Sequence, residues 1–206
     1  MIEGQFVDEA VSRRKFDREV AQYRKLEDTY RRRGWFLVEA DFPTVLVLFA
    51  ALKVRPQTLV CAVQLDFTNY DLVPPSVTFV DPGTREALPM KSLTFQMLRL
   101  SGVENATQET ITAMAQQQRL AVQPLLQAHN PDDVPFLCLP GVREYHNHPA
   151  HTGDSWLLHR RSGEGSLHFI LEHVWASAIN PIQALNYQIQ QIVFTGYQVN
   201  LAAFPR

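Results

Sequence analysis

Apolar residues return every three to four positions between Asp8 and Arg33. Phe16, Val20, Tyr23, Leu26 and Tyr30 fall on one face of a helix, and the stretch holds neither Gly nor Pro. This predicts a long amphipathic helix stopped near Gly34. Its other face carries Arg13, Arg14, Lys15, Arg18, Arg24, Lys25 and Arg31 to Arg33. Such a face is either a solvated surface or a docking surface for an acidic partner.

Three β-rich stretches follow: Trp35–Ala40, Val45–Val54 and Leu59–Phe67, the last alternating apolar and polar residues. Asp41-Phe42-Pro43 and Arg55-Pro56-Gln57 form short turns between them, which predicts an antiparallel meander. Ser76–Val80 supplies a fourth strand. Asn105–His129 reads as a helix with Thr107 near its start, Ser166–Ile179 as another with an apolar stripe of Leu167, Ile170, Leu171, Val174 and Ala178, and Ile182–Phe194 as a last. The fold class expected is α+β, a single domain over residues 1–206 with an insertion at about 83–130.

Composition narrows the function classes. The chain has 206 residues, is 46% apolar and carries a formal charge of −2, so neither nucleic acid nor an anionic membrane is an expected partner. Two cysteines, Cys61 and Cys138, are too few for a disulfide framework and suit a reducing cytoplasm. The N-terminus shows no apolar signal region, and the longest apolar run, Thr44 to Leu52, is too short to span a bilayer as a helix. Cytoplasmic localisation is expected.

The densest chemistry lies in Cys138 to Arg161, with Cys138, Glu144, His146, His148, His151, Asp154, Trp156 and His159. Cys61, between Val60 and Ala62 in a predicted strand, reads as a small core residue. Cys138 offers two chemistries. An open thiolate, its pKa lowered by His146 or His148, is a nucleophile, with Asp154 placed to orient or deprotonate an incoming group. Alternatively a thiolate, two imidazoles and a carboxylate make a tetrahedral Zn set, without the paired spacing that would mark one strongly. A thiolate committed to structural zinc is a poor acyl acceptor, so the two exclude each other in simple form.

One helix, four meandering strands, a Pro-Pro opening the fourth, a cysteine in an irregular segment and then helices is an order that resembles ubiquitin-conjugating enzymes. "FTNYDLVPPSVTF" (67–79), "LCL" (137–139), Trp156 and "LHFILEHVWASAINP" (167–181) are similar to that family's corresponding stretches. The resemblance implies transfer of a ubiquitin-like protein through a thioester on Cys138, with an activating enzyme and the ubiquitin-like protein as partners and no organic cofactor. It also implies that the first helix, around Arg13, Arg14 and Lys15, docks the activating enzyme. Asn130, eight positions before Cys138, has the spacing of the family's oxyanion-supporting Asn, but the order is His129-Asn130-Pro131, and an Asn-Pro can simply end the inserted helix. The departures point to a bacterial relative encoded beside ubiquitin-like proteins.

The same loop also resembles a bacterial family named for a predicted Cys-Glu-His-His metal site. That likeness implies Cys138, Glu144, His146 and either His148 or His151 as ligands. The alternative function is then a zinc-binding or catalytically inactive interaction module.

Overall fold

Asp8 opens the first helix, its carboxylate accepting from the Ala10 amide, and α1 runs Glu9–Lys25. The computed structural model describes residues 4–101, 106–117 and 121–184. The long helix expected from the sequence is interrupted at Leu26 (φ −113°, ψ 10°), and α2 covers Glu27–Arg33. Leu26, expected on the buried face, is 51% exposed, while Phe16, Tyr23 and Tyr30 are buried. Gly34 ends α2 at φ +88°, where an added Cβ would lie 2.1 Å from the Ala50 carbonyl oxygen. Only glycine fits that turn.

The meander follows as expected: β1 Trp35–Asp41, β2 Thr44–Ala51, β3 Thr58–Asp66 and β4 Ser76–Val80, antiparallel in the order β1-β2-β3-β4. Register pairs Trp35 with Phe49, Phe49 with Cys61 and Val63 with Phe79, putting large residues on one face. That face meets the helices in one cluster reaching from Phe16 to Ile179. Trp35 stacks on Tyr30 with ring centroids 4.5 Å apart. Cys61 belongs to this core and burial pushes its thiol far up, as a small core residue requires.

After β4 the chain leaves the sheet. β5 Leu98–Ser101 pairs antiparallel with β6 Ala121–Pro124, and α3, Gln108–Gln116, lies between them in sequence. Thr107 caps α3 through the Thr110 amide. The helix expected over Asn105–His129 is therefore shorter. Pro124 has no amide to donate to a helix, and Ala121–Pro124 finds its hydrogen bonds across the ribbon instead. β7 Leu126–Gln127 and β8 Phe136–Leu137 then pair and deliver the chain to Cys138.

Three short elements follow: α4 Arg143–Asn147, a single 3₁₀ turn Pro149–His151, and α5 Trp156–His159. Ser166 caps α6, Leu167–Val174, which continues as a π-helical turn over Trp175–Ile179. Its expected stripe of Leu167, Ile170, Leu171, Val174 and Ala178 is buried throughout. α6 is tied to α1 by the buried carboxylate of Glu19, which accepts from the Leu167 amide at 3.2 Å, and to α2 by the Arg33–Glu172 pair. Residues 182–184 are not helical, and the rest of the helix expected over Ile182–Phe194 lies outside the described residues. Among the described residues no helix is long and apolar enough to cross a membrane.

Candidate functional site

Cys138 is fixed by its own backbone. Its amide donates to the Leu125 carbonyl at 2.7 Å, and the Leu125 amide donates to Met97 at 2.8 Å, so the cysteine continues the pairing begun by β7 and β8. Leu137 and Leu139 on either side point into the core. The chain then turns, and the Arg143 amide donates to Pro75. The Arg143 side chain is buried and donates to the carbonyls of Thr68 (2.7 Å) and Pro74 (3.2 Å), with Asp66 Oδ2 3.6 Å away. Arg143 thus moors the cysteine segment to the Pro-Pro loop at the head of β4. At the far end, an added Cβ on Gly141 would sit 1.8 Å from the Glu164 carbonyl oxygen, so residues 141 and 164 are in backbone contact.

Cys138 as a residue is 2% exposed, and Sγ lies 3.5 Å from Nε2 of His151. Burial pushes the Cys138 thiol up, with the Arg99 charge opposing, and burial pushes His151 down, with His148 adding to the effect. Both shifts favour the neutral thiol beside the neutral imidazole. His151 stacks on Tyr145, centroids 3.8 Å apart, and the Tyr145 hydroxyl donates to Asp154 Oδ2 at 2.7 Å. Asp154 Oδ1 lies 2.6 Å from His159 Nε2, and His159 Nδ1 lies 2.5 Å from Glu164 Oε2. Hydrogen bonds from His159 and Tyr145 hold the Asp154 carboxyl down; the bond to Asp154 holds His159 up. The result is a connected chain from Glu164 through His159, Asp154 and Tyr145 to the imidazole facing the thiol.

The other residues singled out in the sequence sit elsewhere. His146 and His148 were the expected partners of the thiol, and His151 takes that place. His146 has both ring nitrogens at carbonyl oxygens, Nδ1 2.8 Å from Asp154 and Nε2 2.5 Å from Pro140. His148 stacks on Phe136 and its Nδ1 accepts from the Ala150 amide. Asp154 is engaged at both oxygens, which suits it to orienting its neighbours more than to taking a proton. Asn130 is exposed, and its amide and side chain both donate to Asp133 Oδ2 in a local turn. Nor does Asn130-Pro131 end the inserted helix, since α3 stops at Gln116 and the chain is already a strand at Leu126–Gln127.

Glu144 reaches the other way, to the Ser76 hydroxyl and the Val77 amide of β4. As placed, Glu144 and His146 are turned to other partners, and among the described residues no group of three or more His, Cys, Asp or Glu could hold a metal ion. On α1, Arg13 and Arg14 are exposed, with Arg13 paired to Glu9 and lying over the Phe42 ring. Lys15 is instead bound to Asp71. Asp71 also holds Arg160 at 2.9 Å, and its backbone carbonyl accepts from the Trp156 indole at 2.9 Å.

The sequence profile of the Y4jH-like family (Y4jH family) matches residues 7–182, which includes the whole of this loop. The chain belongs to that family. A Sinorhizobium fredii (strain NBRC 101917 / NGR234) protein described as "uncharacterized protein y4jH" is 45% identical over 205 residues, covering 100% of both chains.

In this Y4jH-family chain, three contributors to the site carry no local sequence signal: Arg143, Tyr145 and Glu164. The Arg143 side chain acts on carbonyls 69 and 75 positions away in the chain. Nothing in the sequence distinguished His151 from His146 or His148 as the residue facing the thiol.

Proposed function

We propose that this chain is a ubiquitin-conjugating-enzyme-like carrier that accepts a ubiquitin-like protein as a thioester on Cys138 and passes it to a target nucleophile. The observation that carries the reading is the Cys138–His151 pair, Sγ to Nε2 3.5 Å, at the mouth of a loop moored to Pro74 and Pro75. The order of helix, four-stranded antiparallel sheet, cysteine segment and C-terminal helix supports it. His151 is neutral at neutral pH, so it takes the thiol proton as Sγ attacks the thioester carbonyl on the activating enzyme. A new C–S bond forms, the old one breaks, and the activating enzyme's cysteine leaves as a thiolate. Arg13 and Arg14 present the exposed positive surface on α1 that docks the activating enzyme.

The test is a non-reducing gel of the protein with a cognate activating enzyme, ubiquitin-like protein, ATP and Mg. A thiol-sensitive adduct is expected in wild type and Cys61→Ala and absent in Cys138→Ala. No adduct in any variant, together with stoichiometric zinc that is lost in His146→Ala, would overturn the carrier reading in favour of a metal-bound thiolate.

A further inference from the structure

Arg143 and the cysteine segment are moored at the end of the sheet where Asp66 pairs with Ser76. At the opposite end Ala51 pairs with Thr58, and there the ends of β2 and α6 enclose a cavity of about 110 Å³. Of its lining residues Ala51 and Ile179 are buried, and Trp175 and Ile182 are half-buried. The chain leaves regular helix to make it. α6 passes into the π turn over Trp175–Ile179, closed by the Asn180 amide donating to the Trp175 carbonyl at 2.8 Å. Such turns are rare and occur frequently at functional sites. This one brings Trp175, Ile179 and Asn180 to one cavity. The Trp175 ring is fixed there by Arg33: the indole donates to the Arg33 carbonyl at 2.9 Å, and the guanidinium lies 3.8 Å from the ring centroid.

The charge around the cavity is one-sided. Arg32, Arg33 and Lys53 line it, and among the described residues no carboxylate does. Glu172 neutralises Arg33 through both guanidinium nitrogens, whereas among the described residues neither Arg32 nor Lys53 makes an ion pair. Lys53 Nζ is held by a neutral acceptor, Asn180 Oδ1 at 2.6 Å, and stands 5.9 Å from the Trp175 centroid. An ammonium has three hydrogens to donate, so this anchor fixes its place and leaves two for a ligand. We infer that the cavity binds a small aliphatic monocarboxylate, its apolar body against Trp175, Ile179 and Ile182 and its carboxylate at the exposed Lys53 and Arg32. Size sets the class: at the ~30 Å³ share of a water, the space takes about four carbon-sized groups, far short of a nucleotide. Burial of the body supplies affinity, and the two cations select the sign of the head.

The inference is independent of acylation at Cys138, and its test needs no protein partner. Isovalerate is titrated into the full-length protein while the assigned indole N–H signals of Trp35, Trp156 and Trp175 are followed by ¹H–¹⁵N NMR. Isovaleramide, of the same shape without the charge, is titrated in parallel at matched ionic strength. A saturable shift of the Trp175 signal is expected with isovalerate, with binding of isovaleramide about five-fold weaker or more. Arg32→Gln combined with Lys53→Gln should weaken isovalerate about ten-fold. Both side chains are exposed, so the double variant should keep the wild-type melting temperature. Equal binding of acid and amide would overturn the inference, as would wild-type affinity for isovalerate in the double variant. So would the absence of a saturable shift, or a response of Trp156, beside the cysteine segment, in place of Trp175.

Discussion

The imidazole of His151 lies against the Tyr145 ring, 3.8 Å between centroids and 21° between planes, while its Nε2 faces the thiol of Cys138. The stack fixes the ring's plane, and the Tyr145–Asp154 hydrogen bond fixes the stack. General-base assistance by a placed imidazole contributes roughly 10²–10⁴-fold. His151→Ala is expected to slow Cys138 acylation by an amount in that range, and Tyr145→Phe, which keeps the ring and loses the hydroxyl, by much less. Because the thiol is held above its ordinary 9.0 and His151 below its ordinary 6.5, the pair is neutral at neutral pH. Alkylation should therefore climb continuously past pH 9, and a plateau beginning in acid would contradict the neutral pair.

His159 bridges Asp154 and Glu164, and the two carboxylates favour its protonated form. Its pKa is raised, so the stabilisation it gives is complete below 6.5 and disappears as pH rises through the raised value. Asp154 is shifted down, so its contribution is present above 3.8 and disappears as pH falls through the lowered value. The bridge is strongest between those limits. The melting temperature of wild type should exceed that of His159→Gln most near pH 5 to 6, with the gap closing toward alkaline pH. A gap that does not vary with pH would leave the bridge without the charge assigned to it.

Arg143 satisfies the Thr68 and Pro74 carbonyls from a buried position. Arg143→Met removes donors that water cannot replace there and should cost about 3 kcal/mol, read as a lower urea midpoint. The same variant should raise the alkylation rate of Cys138, because the segment that shields the thiol loses its mooring. Retained stability would mean that the β4 loop and the cysteine segment do not depend on each other.

Arg13 and Arg14 are exposed, whereas Lys15 is tied to Asp71. Arg13→Glu with Arg14→Glu should weaken binding of the activating enzyme about ten-fold or more and leave small-molecule alkylation of Cys138 unchanged. Lys15→Glu should in addition lower the melting temperature, since it sets two carboxylates against each other at Asp71. Equal binding by the double variant, measured by titration calorimetry, would remove this face from the docking surface.

The sheet was legible because its signals are local: alternation within Leu59–Phe67, short turns at Pro43 and Pro56, and strand bounds that moved by at most a few residues. The stripe of α6 was equally plain, since every residue assigned to it is buried. The break at Leu26 was not, because the apolar spacing runs on through it, with Tyr23 and Tyr30 both buried. Nor was the β5–β6 ribbon, whose strands are about twenty residues apart and whose pairing gives the second strand partners that a helix would otherwise supply. Cys138 stood out in the sequence; its partner did not. Three histidines within six residues offered equivalent chemistry, and the choice among them fell to a single 3₁₀ turn, Pro149–His151.

Gly141 touching Glu164 closes the segment between them into a ring whose two ends meet on the edge of the core. Val142, Arg143 and Trp156 root that ring in the core, and its exposed part lies between them. Lengthening a closed loop costs only about 0.6 kcal/mol per doubling, so the exposed stretch around Pro149 and Gly153 is open to insertion, whereas the interdigitated core admits none.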